Sequence, residues 1–198
     1  MKNAGIILAG GSGSRFDSTL SAKKQFIEFD GEPLFYKSLR CFDASKQFDE
    51  IIICAGAYTG LLVPSLNIYP IKGYSITYHH ETDAPITSVL DDDAKIVASP
   101  FSNNTFRVAG TAELAGWNHE VRKDRIEPLR KWVRNNTFVK DERPEEWACL
   151  RPMTPSMVPK VGSGKLPGVF YNTGHGHLGW TLSAETAEIL AKKILNET

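Results

Sequence analysis

The first 53 residues place one helical segment between two short apolar runs. Residues 5–9 and 51–54 are the apolar runs, and residues 33–44 carry apolar side chains at helical spacing. A continuous apolar run is typical of a strand that is buried on both faces of a sheet. A strand, a helix and a second strand in this order favour a parallel β-α-β arrangement.

From about residue 61 onwards the pattern changes to short strands with turns between them. The predicted strands cover residues 71–78, 94–98, 106–110 and 168–172, and the predicted helices cover residues 122–135 and 183–196. The sequence therefore predicts an α/β (α+β) chain, in which a short parallel β-α-β piece is joined to an antiparallel sheet and then to a C-terminal loop and helix. We expect two segments, residues 1–53 and 54–198.

The charge balance and the apolar runs exclude several kinds of partner. Lysine and arginine together number 23, and so do aspartate and glutamate, so the net charge is zero. A chain without excess positive charge is not expected to bind nucleic acid through bulk electrostatics. No apolar run reaches the roughly 20 residues that a membrane-spanning helix needs. We expect no transmembrane segment and a cytoplasmic location.

The cysteines and histidines do not predict a metal site. Cys41, Cys54 and Cys149 lack the spacing of metal ligands, and their odd number fits a reduced chain. His175 and His177 form a His-x-His pair, which is a weak metal signal without carboxylate or thiol partners nearby. We therefore expect no bound metal ion in the C-terminal segment.

A glycine-rich loop follows the first apolar run. Gly10, Gly11 and Gly13 would let backbone N–H groups approach a phosphate closely. Arg15 could add bidentate charge-assisted hydrogen bonds, and Lys24 a further cation. A tight turn without a ligand is the alternative interpretation.

This opening resembles that of the cytidylyltransferases that make CDP-activated alcohols, such as methylerythritol phosphate or ribitol phosphate cytidylyltransferase. The resemblance is carried by residues 8–15, by Lys-Lys-Gln at 23–25 and by Gly-Glu-Pro-Leu at 31–34. It implies that Gly10, Gly11, Gly13, Arg15 and Lys24 contact the phosphates of CTP, with Mg²⁺. The proline expected before Lys-Gln is absent, and no segment after residue 53 matches the family's metal-binding aspartate.

The rest of the chain resembles the C-terminal part of the FAD-dependent D-amino-acid dehydrogenases and oxidases. Five segments carry the resemblance in the order of that family: residues 51–58, 70–75, 107–113, 150–155 and 171–181. The resemblance implies an FAD-dependent oxidoreductase that deaminates a D-amino acid oxidatively. In that family an N-terminal dinucleotide-binding half holds the ADP part of FAD, and the sequence shows no such half.

A second glycine-rich loop opens into the C-terminal helix. Backbone N–H groups and the positive end of a helix favour negative charge, such as the charge that develops on a reduced flavin ring. The resemblance implies that this loop contacts the flavin. The candidate flavin-binding residues are Gly174, His175, Gly176, Leu178, Gly179, Trp180 and Thr181. A capping loop without a ligand is the alternative.

Arg151 is the candidate substrate-binding residue. It precedes Pro152 and Pro155, which restrict the backbone, and a rigidly held guanidinium suits a carboxylate. The resemblance implies that the arginine of this Arg-Pro motif holds the substrate carboxylate. A structural ion pair is the alternative.

Together these features predict a chimera that joins the two families near residues 48–53. The principal hypothesis is a D-amino-acid dehydrogenase-like flavoprotein fragment that acts on a small-molecule substrate. The second hypothesis is a CTP-dependent nucleotidyltransferase, and the third is a remnant without catalytic activity. Apolar faces that would pack on a missing half predict self-association.

Overall fold

A computed structural model describes residues 4–9, 28–47, 49–79, 86–101, 104–140 and 142–197, with the backbone alone for residues 8, 29, 196 and 197. The strands are β1 (Ala4–Leu8), β2 (Glu28–Phe29), β3 (Glu32–Pro33), β4 (Glu50–Cys54), β5 (Tyr69–His79), β6 (Val89–Asp91), β7 (Ile96–Phe101), β8 (Thr105–Glu113), β9 (Glu145–Met153), β10 (Lys160–Ser163) and β11 (Phe170–Thr173). The helices are α1 (Leu34–Ser45), α2 (Thr59–Leu62), α3 (Lys123–Asn136) and α4 (Gly179–Glu197).

The chain divides into two compact units. The first unit combines residues 1–68 with residues 154–198, and the second unit is residues 69–153. The chain therefore leaves the first unit after residue 68 and returns to it at residue 154. The division at residue 53, which rests on the two resemblances, stays a prediction.

In the first unit, β1 and β4 form the predicted parallel pair. Ala4 lies opposite Glu50 and Leu8 lies opposite Cys54, with α1 between the two strands in sequence. The expectation that β4 is buried on both faces is wrong. Ile52 and Ile53 are both more than a third exposed, and β1 is the only strand that pairs with β4 among the described residues. Self-association through such faces stays a prediction.

The C-terminal part of the first unit is a hairpin with a helix packed on it. Strands β10 and β11 pair antiparallel, and α4 contacts both of them. Helix α4 begins at Gly179, four residues before the predicted start, so that Trp180 and Thr181 belong to its first turn. None of the described helices combines the length and the apolar character that a membrane span requires.

The second unit is a five-stranded antiparallel sheet in the order β6-β7-β8-β5-β9. Together with the parallel pair of the first unit, it confirms the predicted mixed α/β fold. Strand β9 was not predicted, because it contains Pro152 near its end and Pro155 follows shortly after it. Proline is tolerated there because β9 is an edge strand, where one row of N–H groups needs no partner.

Helix α3 covers one face of this sheet and forms the core with it. Alternate residues of β5, from Lys72 to Tyr78, point to the helix, as the period of two requires. The fully buried apolar side chains of this core are Tyr74, Ile76, Tyr78, Phe106, Val108, Ile126, Leu129 and Val133. Arg151 lies on the opposite face of the sheet.

Candidate functional site

Arg151 lies across the middle of the sheet in the second unit. It is paired with Ile71 of β5, and its side chain therefore stands on the face away from α3. The guanidinium extends over Gly73, whose missing side chain leaves the space that it fills. At the far side of Gly73, Nη1 of Arg151 donates a hydrogen bond to the carbonyl oxygen of Thr111, 3.1 Å away.

Thr111 accepts this hydrogen bond because it sits in a β-bulge. The pairing between β5 and β8 shifts between Lys72 opposite Glu113 and Tyr74 opposite Gly110. Thr111, which lies in the shifted stretch, has a φ of +65°, in the left-handed region that costs a β-branched residue energy. A bulge turns backbone groups out of the ladder, and here the freed carbonyl orients Arg151.

No ion pair neutralises Arg151 within the part of the chain that the structure describes. The alternative of a structural ion pair is therefore without support there. With one N–H donated to Thr111, the other donors of the guanidinium remain for a ligand, and a carboxylate matches their planar fork.

The side chains around Arg151 are small or uncharged. Cys149 lies opposite Gly73 on the same face, and Ser75 follows two residues after Gly73. Burial raises the pKa of Cys149, although the positive charge of Arg151 opposes this. The thiol therefore stays protonated near neutral pH, so that the charge over Gly73 is that of Arg151.

The opposite, helix-covered face contains a buried ionic network that sequence reasoning missed. Glu113 accepts hydrogen bonds from the hydroxyl of Tyr74 at 2.5 Å and from Nη1 of Arg122 at 2.6 Å. Lys72, which is fully buried, donates from Nζ to Oδ1 of Asn118 at 2.8 Å. This network fixes Glu113, the last residue of β8, and thereby stabilises the bulge that precedes it.

The pKa values of the network follow from its contacts. The hydrogen bond from Tyr74 is the main cause that lowers the pKa of Glu113, and the nearby cations add to it against the effect of burial. Burial raises the pKa of Tyr74 to about 12, with the contribution of Glu113 in the same direction. Burial lowers the pKa of Lys72, and the charge of Glu113 opposes this.

In the first unit, the second glycine-rich loop has the backbone that its glycines predict. Gly174 and Gly176 have φ values of +80° and +58°, which non-glycine residues rarely adopt. A Cβ at residue 174 would lie 2.7 Å from Cγ2 of Thr154. Gly174 is therefore required both by its backbone conformation and by the close approach of Thr154.

The start of α4 directs N–H groups out of the helix. The first bond of the helical pattern runs from the N–H of Leu182 to the carbonyl oxygen of Leu178, at 2.9 Å. The N–H groups of Gly179, Trp180 and Thr181 precede it and have no acceptor within the helix. They form the positive end of a 19-residue helix, which suits a ligand with negative charge.

His175 fixes the loop to the helix. Its Nε2 lies 3.1 Å from Oγ1 of Thr186, which is buried about two turns after the start of α4. Burial lowers the pKa of His175, so the imidazole is uncharged near neutral pH. No cluster of possible metal ligands exists among the described residues.

The comparison with known families decides the affiliation of the chain. Residues 36–193 match the family described as FAD dependent oxidoreductase. The chain belongs to this family. The predicted resemblance of the C-terminal segment is thereby confirmed, and so is FAD as the cofactor that the family uses.

A relative in this flavoenzyme family is D-amino acid dehydrogenase 3 of Mesorhizobium japonicum (strain LMG 29417 / CECT 9101 / MAFF 303099). It is 48% identical over 165 residues, which cover 78% of this chain and 40% of the relative. The chain thus spans about two fifths of the length of this dehydrogenase.

Solved structures show the same fold. Glycine oxidase from Geobacillus kaustophilus has a TM-score of 0.62 at 21% identity, over 76% of this chain and 42% of its own. Iminodiacetate oxidase from Chelativorans sp. BNC1 has a TM-score of 0.62 at 22% identity, over 76% of this chain and 43% of its own. At these identities the likeness concerns the fold alone.

The described residues fit the flavin end of FAD. The two left-handed glycines and the outward N–H groups of α4 offer hydrogen-bond donors without a competing carboxylate in the loop sequence. Leu178 is about one third exposed, and Trp180 is almost fully exposed, which leaves apolar surface beside those donors. A flat ring with a negatively charged edge matches this combination.

The residues of the cytidylyltransferase resemblance, Gly10, Gly11, Gly13, Arg15 and Lys24, lie outside the described residues. The family match begins at residue 36 and does not cover them. The nucleotidyltransferase hypothesis and the chimera therefore stay predictions.

Proposed function

We propose that this chain provides the substrate-binding and flavin-ring-binding part of an enzyme that oxidises the Cα–N bond of a D-amino acid. The observation that carries the proposal is the arrangement of Arg151. It is oriented by a backbone carbonyl at 3.1 Å, it stands over a glycine, and no carboxylate of the described residues neutralises it. A substrate carboxylate would provide that neutralisation.

The choice of a D-amino acid rests on the relative. At 48% identity, the dehydrogenase shares enough of this segment for the same substrate class to be the natural proposal. Since the chain spans 40% of that relative, the activity of the whole enzyme is part of the proposal.

The residues of the chain bind and orient in this proposal. Arg151 fixes the substrate through its carboxylate, and the N–H groups at the start of α4 stabilise negative charge at the edge of the flavin. FAD, when bound, supplies the redox chemistry by accepting a hydride from Cα. Because the cofactor supplies that step, the protonated thiol of Cys149 and the uncharged His175 need not act as bases.

The test is anaerobic mixing of the FAD-loaded chain with D-alanine, with L-alanine and with D-alaninamide. We expect loss of visible flavin absorbance with D-alanine only, because the L-isomer has the wrong geometry and the amide lacks the carboxylate. An Arg151→Gln variant should lose the response. An Arg134→Gln variant is the control, since Arg134 pairs with Glu127 on the exposed side of α3. Equal responses to D-alanine and D-alaninamide would contradict the proposal.

A further inference from the structure

The β-bulge beside Arg151 contains one extra residue on β8. Gly73 is the single residue of β5 between the two pairs that flank the register shift, whereas Thr111 and Ala112 occupy the same stretch of β8. Two residues of β8 therefore oppose one residue of β5. The side chain of Arg151 packs on that one residue, Gly73. The guanidinium thus lies directly over the bulge, and its position depends on the shape of the bulge.

A hydrogen bond spans the same bulge on the face that α3 covers. Tyr74 follows Gly73 on β5, and Glu113 follows Ala112 on β8. The hydroxyl of Tyr74 donates to Oε2 of Glu113 at 2.5 Å. Both side chains are buried, and a hydrogen bond to a charged group is strengthened by such surroundings. The bond therefore joins a residue of β5 at one end of the bulge to a residue of β8 at the other end.

Glu113 is also fixed to the start of α3. Nη1 of Arg122 donates to Oε1 of Glu113 at 2.6 Å, and Nε of Arg125 lies 3.5 Å from the same oxygen. Arg122 directly precedes α3 and Arg125 lies in its first turn, and the helix packs on the sheet through its buried apolar side chains. The carboxylate that accepts from Tyr74 is therefore held in place by the helix as well as by its own strand.

The backbone of Thr111 needs such support. Its φ of +65° costs a β-branched residue energy, and strained conformations persist only where the surrounding structure enforces them. Without the bond between Tyr74 and Glu113, the bulge would be free to relax towards regular pairing, which turns the carbonyl group of Thr111 back into the ladder. Nη1 of Arg151 would then lose the acceptor that lies 3.1 Å away.

We propose that Tyr74 and Glu113 are positioning residues for Arg151. They hold the bulge from the helix-covered face, and the bulge holds the guanidinium on the opposite face, so that both residues act through the backbone of Thr111. The position of Arg151 is independent of the proposed function. The consequence for the substrate rests on the proposed function, because Arg151 is the residue that we expect to bind the carboxylate.

The first test is NMR of the guanidinium of Arg151 in the full chain without substrate, with the Arg151→Lys variant to assign its signals. A hydrogen bond from Nη1 slows rotation of the guanidinium, so we expect separate Nη–H signals at low temperature in the native chain. Tyr74→Phe keeps the buried ring and removes only the hydroxyl, and we expect it to merge these signals. Tyr78→Phe is the matched control and should keep them separate, because Tyr78 is also buried on the same face of β5 but lies outside the bulge.

The second test is the dependence of flavin reduction on the concentration of D-alanine in the FAD-loaded chain, without oxygen. Tyr74→Phe should raise the half-saturating concentration about fivefold or more and change the limiting rate less than about twofold, because Arg151 binds the carboxylate and does not take up the hydride. A purely structural role would leave both values unchanged in the chains that stay folded. Tyr78→Phe should behave as the native chain does.

Unchanged Arg151 signals in a Tyr74→Phe chain that is folded by circular dichroism would overturn the proposal. The same merging of signals in Tyr78→Phe would also overturn it, because the effect would then follow from a general loss of stability. A native chain whose flavin is not reduced by D-alanine contradicts the proposed function alone, since the NMR comparison still decides whether Tyr74 and Glu113 position Arg151.

Discussion

The guanidinium of Arg151 occupies the space in which any larger residue at position 73 would place its side chain. The side chain of Arg151 therefore packs directly on the backbone of Gly73, and its guanidinium donates a hydrogen bond to the carbonyl oxygen of Thr111 on the neighbouring strand. The arginine is therefore positioned by the space above Gly73 and by a backbone carbonyl, without a carboxylate partner among the described residues.

Substitution of Gly73 by alanine should displace Arg151. The new methyl group would overlap the guanidinium, which would have to leave Thr111. We expect binding of D-alanine to the FAD-loaded chain to weaken about tenfold or more, as for loss of a charge-assisted hydrogen bond. The dependence of flavin reduction on the concentration of D-alanine, followed by absorbance without oxygen, measures this. Ser75→Ala, two residues along the same face, is the matched control and should bind as the native chain does.

Substitution of Glu113 by glutamine should destabilise the second unit. The change leaves the hydroxyl of Tyr74 and the guanidinium of Arg122 without their anionic partner. Breaking a buried ion pair costs about 3–5 kcal/mol, and we expect about 2–3 kcal/mol because Arg122 is partly exposed. Urea denaturation gives the free energy of unfolding. A cost below about 0.5 kcal/mol would contradict the role of the network.

Substitution of Lys72 by methionine should have little effect on stability or increase it slightly. Lys72 is buried, and burial lowers its pKa, which means that its charge is costly in the folded state. Methionine fills a similar volume without the cost of burying a charge, so we expect the free energy of unfolding to change by less than about 1.5 kcal/mol. In the variant, Oδ1 of Asn118 keeps a hydrogen-bond donor, because the backbone N–H of Glu120 donates to it at 2.8 Å. A large loss in the same urea experiment would show that the ammonium group is needed.

The contribution of Glu113 should depend on pH in a defined direction. Its pKa is lowered in the folded state, so that the unfolded state binds the proton more tightly. The stabilisation is therefore complete above the ordinary pKa of a glutamate, and it is lost as the pH falls through the lower folded-state pKa. The difference in unfolding free energy between the native chain and Glu113→Gln should be constant near neutral pH and shrink in acid. A difference that grows in acid would reverse this assignment.

Two alanine substitutions, one in the second glycine-rich loop and one in the turn between β10 and β11, separate strain from packing. Gly174→Ala combines a φ of +80° with a clash against Thr154, whereas Gly168→Ala combines a φ of +74° with no atom within 4 Å. We expect about 1 kcal/mol of destabilisation for Gly168→Ala and about 3 kcal/mol for Gly174→Ala. Thermal unfolding measures both. Only Gly174→Ala should also reduce flavin binding.

The sequence predicts those strands and helices whose apolar residues recur at the regular spacing of a strand or a helix. Alternation places β5 and β8, and helical spacing places α3 and α4, within a few residues. Strand β9 is not predicted because its pairing partner is β5, whose paired residues lie 68 to 84 residues earlier, and because Pro152 argues against a strand. The start of α4 is missed because glycine at position 179 is a poor helix former.

The sequence predicts which residues belong to the candidate site, but it does not predict how they are arranged in space. The Arg-Pro motif identifies Arg151, and the glycines identify the loop before α4. Gly73 and Thr111 could not be predicted, because their role arises from a shift of register between β5 and β8. The buried Lys72 and Glu113 give no local signal either, since charged residues in alternation usually indicate a solvated face.

Retention of flavin by the purified chain is the most direct test of whether the loop before α4 binds the flavin ring. The chain would be mixed with excess FAD, separated from free dye by gel filtration, and measured for bound flavin by absorbance. We expect near-stoichiometric retention, which Gly174→Ala should reduce. A chain that is folded by circular dichroism and retains no flavin would contradict the claim that the loop before α4 holds the flavin ring.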